Sequence, residues 1–99
     1  MIGMNKNVKV VYYVDIDDNT KGCLCAIPSD KDLRDSSVIQ KVADEIKNVF
    51  EPIHQLMGEH SVDLAKAVCH HGYSNIFEYE FGIEEIPLFG VHKIILQGC

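Results

Sequence analysis

Apolar and polar positions along the chain change period several times, and each change marks an element. Residues 8–17 alternate, with Val8, Val10, Tyr12, Val14 and Ile16 on one face and Lys9, Val11, Tyr13, Asp15 and Asp17 on the other. That is the two-residue period of a strand. Asp18-Asn19-Thr20-Lys21-Gly22 is turn chemistry, because Asn and Gly tolerate positive φ at little steric cost. A second strand over 23–27 stops at Pro28, so the pair predicts a hairpin.

The period then lengthens. Val38, Ile39, Val42, Ile46, Val49, Phe50, Ile53, Leu56 and Met57 recur at three- and four-residue steps, the buried stripe of a helix over 36–57. Asp35 or Ser36 offers an N-cap oxygen, and Gly58 a left-handed stop. Pro52 interrupts the stripe; it lacks an amide proton and crowds the carbonyl of Asn48, which predicts a kink or break. A shorter helix over 62–71 has Ser61 as N-cap, Val62, Leu64, Ala65, Val68 and Cys69 as its stripe with His71 extending it, and Gly72 as its stop.

Alternation returns over 75–81, where Phe77, Tyr79 and Phe81 oppose Glu78 and Glu80. After Gly82 and an acidic link, Glu84-Glu85-Ile86-Pro87, residues 88–97 read as a last strand with both faces largely apolar. The order is β-β-α-α-β-β. It predicts a single α+β domain over 1–99, with an antiparallel sheet and a helical pair packed on one face. Strand order does not follow from the pattern.

Length and composition agree with this picture. At 99 residues and 46% apolar content, one core can form without metals or disulfides. The net charge of −6 repels phosphate backbones and favours basic partners. The nine cations are scattered and include only Arg34 as arginine, so nucleic acid is not an expected partner. No membrane-spanning run, lipidation signal or secretory pattern is present, and four cysteines then read as thiols in a cytoplasmic setting.

Candidate chemistry changes little. Asp15 to Gly22 resembles the opening of a calcium loop, but Thr20 stands where the sharp bend needs Gly and Ala26 where the bidentate Glu belongs. A solvated hairpin turn accounts for it. Cys23 and Cys25 fall on one strand face about 7 Å apart, poorly placed to bridge each other, and no second pair completes a zinc knuckle. Cys69-His70-His71-Gly72 ends a helix, and neighbouring helical residues point about 100° apart, so His70 and His71 cannot chelate one ion together. A helix C-terminus also disfavours a Cys69 thiolate. No metal or cofactor is expected; Cys23, Cys25, His70 and His71 would be the first ligands if one were bound. His54, His60 and His92 stand alone in the sequence.

Glu78 and Glu80, with Glu84 and Glu85 beyond them, read as the wet face of a sheet and, with Asp15, Asp17 and Asp18, as an acidic surface for a basic partner. The pattern favours a small acidic binding or regulatory protein, an adaptor or an inhibitor of the kind mobile elements encode. It would work through a protein partner or a second copy rather than a membrane. The expected contact runs over Val11, Tyr13, Glu78, Glu80, Phe89, Val91 and Ile95, the sheet face left open by the helices. The alternative is a small-molecule-binding domain or small enzyme with a His, Cys and Tyr site at a subunit interface.

Overall fold

Four strands and three helices account for most of residues 7–87, which a computed structural model describes. Strands β1 (Asn7–Asp15) and β2 (Thr20–Pro28) form the first hairpin. Helices α1 (Ser36–Phe50), α2 (Gln55–Glu59) and α3 (Ser61–His71) follow, and β3 (Tyr73–Ile76) and β4 (Tyr79–Pro87) close the order. All pairings are antiparallel and the strands lie in the order β2-β1-β4-β3, so the two hairpins join through β1 and β4. The result is the single α+β domain expected, with α1 over β2, α3 over β3 and β4, and the two helices packed on each other. Among the described residues no helix is long and apolar enough to cross a membrane.

The core lies between sheet and helices. Val11, Ile27 and Phe81 from the sheet meet Val42, Ile46 and Phe50 from α1 and Met57, Ala65 and Val68 from α2 and α3. Phe50 closes one end of it, its ring packed edge-on against Tyr13 and Tyr79 at 5.0 Å and Phe81 at 5.6 Å. Such aromatic contacts add to the burial of the rings themselves. On the opposite face Val8 and Val10 form a second, smaller cluster with Cys23, Ala26 and Ile86.

The N-cap falls where the pattern places it: Asp35 accepts the Ser37 amide at 2.8 Å and the Ser37 hydroxyl at 2.7 Å. The helix expected over 36–57 ends sooner, at Phe50. The Glu51 amide still reaches the Lys47 carbonyl, but Pro52 has no proton to offer, and the next two amides both turn back to Phe50. Beyond this break the stripe loses its register, and Ile53 and Leu56 face solvent instead of the core. Gly58 is no left-handed stop; it lies buried within α2, where a Cβ would come within 3.1 Å of the Glu51 side chain. Ser61 is the buried first residue of α3, whose N-cap position falls to His60 without a side-chain bond. Val62 and His71 are exposed rather than part of the stripe. Gly72 does end α3 in the left-handed region, at φ 78°.

The second half of the sheet differs from its sequence pattern. Residues 75–81 are not one strand: the chain reverses at Phe77 and Glu78, and Ile76 pairs with Tyr79. Residues 84–87, expected as a link, continue β4 alongside β1. The strand expected over 88–97 lies outside the described residues. In β2, a bulge inserts Leu24, so that Val11 faces Cys25 while the next residue, Tyr12, faces Cys23. The two cysteines therefore occupy opposite faces of the sheet instead of sharing one.

Candidate functional site

Three connections meet at one end of the sheet. The β1–β2 turn is held by its own carboxylates: Asp15 accepts the Asp17 amide, and Asp18 accepts the amide and hydroxyl of Thr20. Asn19 sits at φ 61°, a conformation it adopts readily. Local bonding thus accounts for the aspartates as turn residues. The β3–β4 turn is tied to this one, because the Ile16 amide donates to the Glu78 carbonyl at 2.8 Å. The third connection leaves α1 after Phe50 and brings in Ile53 and His54, whose imidazole stacks on the Phe77 ring with centroids 4.5 Å apart.

The side chains presented here are of two kinds. Ile16, Ile53 and Phe77 are 52%, 68% and 54% exposed, the barest large apolar side chains among the described residues, with Leu56, Val62 and Tyr73 exposed elsewhere to a lesser degree. Phe77 also holds φ 55° in a two-residue turn, where Asn, Asp or Gly is usual. Glu51, just after α1, lies against Gly58 of α2, while the β1–β2 and β3–β4 turns carry the carboxylates of Asp15, Asp17, Asp18 and Glu78. Their convergence is felt by Tyr79: burial first, and then Asp15, Glu78 and Asp18, raise its phenol above the ordinary value. In the last turn of α1 the only basic residue is Lys47.

The residues proposed from sequence are dispersed. Val11 is fully buried and Tyr13 packs on Phe50, so the face expected to meet a partner is the face the helices cover. The two faces of β1 are similarly apolar, and the alternation could not show which one the helices would take. Glu78 does reach the surface, at the turn. Glu80 accepts the Tyr73 hydroxyl at 2.9 Å, Glu84 pairs with Lys21 at 3.2 Å, and Glu85 accepts from Asn7 and Ser29. Three of the four sheet carboxylates are therefore engaged within the chain. Phe89, Val91 and Ile95 lie outside the described residues.

The thiols and imidazoles do not assemble. Cys25 and Cys69 are free, Cys25 packed against the main core and Cys69 buried within it. Burial pushes the Cys25 thiol up to about 11, against the pull of Lys41, and raises Cys69 as well. Cys23 lies on the other side of the sheet, packed against the smaller cluster of Val8 and Val10. His70 and His71 are exposed with ring centroids 6.4 Å apart. Among the described residues no three His, Cys, Asp or Glu side chains are grouped to hold a metal ion.

Sequence reasoning missed Ile16, Ile53, His54 and Phe77 as a group. The one available signal was Pro52, which by breaking the helix frees Ile53 from the stripe. Compared with models of protein families, with curated proteins and with solved structures, the chain matches none.

Proposed function

We propose that this chain is a small acidic binding protein that acts on another protein by contact, as an adaptor or inhibitor, and that it docks through the turn end of its sheet. One observation carries the reading: Phe77, stacked on His54, and the neighbouring Ile53 stand exposed where the break after α1 meets the β3–β4 turn, with Ile16 exposed in the turn hydrogen-bonded to it. Exposed apolar surface gathered in one region marks interaction sites, and interface energy concentrates in aromatic anchors. Phe77 keeps an unfavourable backbone conformation while its ring is fixed by His54. Strain of this kind clusters at functional positions. A small-molecule site built from His, Cys and Tyr has less support, since Tyr13, Cys25 and Cys69 belong to or pack on the core.

Photocrosslinking in cells of the source organism tests this. With Phe77→p-benzoylphenylalanine, a discrete covalent adduct to one protein is expected, and with the same group at exposed Val62, none. Absence of an adduct from position 77, or the same adduct from both positions, would overturn the reading.

A further inference from the structure

We infer that the partner seated on the turn end is a basic polypeptide, one that presents lysine or arginine side chains around an apolar anchor. The inference rests on the docking reading above and adds the chemistry of the occupant. The turns that expose Ile16 and Phe77 also carry the carboxylates of Asp15, Asp17, Asp18 and Glu78, and the last turn of α1, which leads to Ile53, brings only Lys47 as a cation. Lys21, just beyond the β1–β2 turn, is committed to Glu84 and lies over the Tyr12 ring. Two of the carboxylates are fixed in orientation by backbone amides, at Asp15 and Asp18. The two turns that carry the four carboxylates are joined by a 2.8 Å hydrogen bond from the Ile16 amide to the Glu78 carbonyl. Screening acts over about 8 Å at physiological salt, so an approaching surface meets neighbouring carboxylates together.

That sign of charge sorts the occupants. A second copy docking by a two-fold contact would set these carboxylates against their own equivalents, which disfavours a symmetric dimer here. Phosphate backbones and anionic lipid surfaces are repelled for the same reason. A basic segment gains at both the rim and the centre: its cations meet the carboxylates, and its aliphatic or aromatic side chain covers Phe77 and Ile53.

Amide-resolved NMR titration tests the inference with two synthetic helical peptides of about fourteen residues, one of leucine and lysine, the other with glutamate at every lysine position. The lysine peptide should shift the signals of residues 15–18, 51–54 and 77–79, and more weakly as salt rises; the glutamate peptide should not. Phe77→Asn, which keeps a residue suited to positive φ, should weaken binding about tenfold or more. Asp17→Asn combined with Glu78→Gln should weaken it and flatten the salt dependence, whereas Glu59→Gln should leave it unchanged. Equal binding of the glutamate peptide at the same residues would overturn a basic partner yet leave docking at this end standing. A lysine peptide that lands elsewhere, or that fails to bind at millimolar concentration, would overturn the inference outright. Broadening of these signals with protein concentration alone would assign the surface to a second copy.

Discussion

At φ 55° the Cβ of Phe77 crowds the backbone, a conformation that costs an L-residue roughly 1–2 kcal/mol and that Asn tolerates best. The ring regains part of this through its stack on His54. Phe77→Asn should therefore raise stability or leave it level, while Phe77→Ala, which keeps the strain and loses the stack, should lower it; urea denaturation separates the two. A similar contrast concerns two buried glycines, each lying under a tyrosine of the neighbouring strand. A Cβ on Gly22 would fall 2.3 Å from the Tyr13 ring, and one on Gly82 would fall 2.6 Å from the Tyr12 hydroxyl. Tyr13 is packed against Phe50 and cannot swing away, whereas Tyr12 lies on the other face with a lysine side chain over it. Gly22→Ala should cost about 1–3 kcal/mol, the range for an overfilled core, and Gly82→Ala clearly less. Equal losses in denaturant midpoints would show that the Tyr13 ring is less confined than its neighbours imply.

Helix α1 joins a cap to a buried stripe, and each can be tested alone. The amide and hydroxyl of Ser37 hold the Asp35 carboxyl below the usual aspartate range. A lowered folded pKa means that the cap contributes fully above the unfolded value, about pH 4, and is lost as pH falls through the folded one. Asp35→Ala should destabilise at pH 7, and its difference from the parent chain should shrink as pH drops below 4, read from thermal midpoints across that range. On the stripe, Ile46 is fully buried and Lys47 exposed, so Ile46→Asp should cost roughly 4 kcal/mol or more and Lys47→Asp little. The helix was legible because burial on one side imposes a 3.6-residue period that only one element satisfies. The β3–β4 hairpin was not, because Phe77 and Glu78 make a tight turn from residues with no turn preference, leaving the alternation of a single strand. The bulge at Leu24 likewise leaves no trace in the pattern, yet it reverses the face of Cys23 relative to Cys25. The turn-end surface was illegible for a further reason: its apolar side chains come from three connections, and only the fold brings them together.

Across the whole molecule, Cys25 and Cys69 probe whether sheet and helices come apart together. Cys25 lies on the helix-covered face of β2, Cys69 is buried on α3, and Cys69 is near enough to act on the Cys25 thiol. With a pKa of about 11, Cys25 is thiolate in roughly one molecule in ten thousand at pH 7, so alkylation of the folded state should be very slow. Once the slow folded-state reaction of the partly exposed Cys25 is subtracted, labelling of both thiols requires opening. Since β1 and β4 join the two hairpins and one core spans both helices, the expected opening is cooperative. Under native conditions with iodoacetamide and peptide-level mass spectrometry, both cysteines should yield the same opening free energy. Both should also respond to urea with the slope of global unfolding. A Cys69 that labels faster, with a shallow urea dependence, would show α3 lifting from the sheet by itself. Because α3 is followed directly by β3 and the turn bearing Phe77, such a local opening would also release the stack on His54, and the turn-end surface would not exist as a fixed site in the free protein.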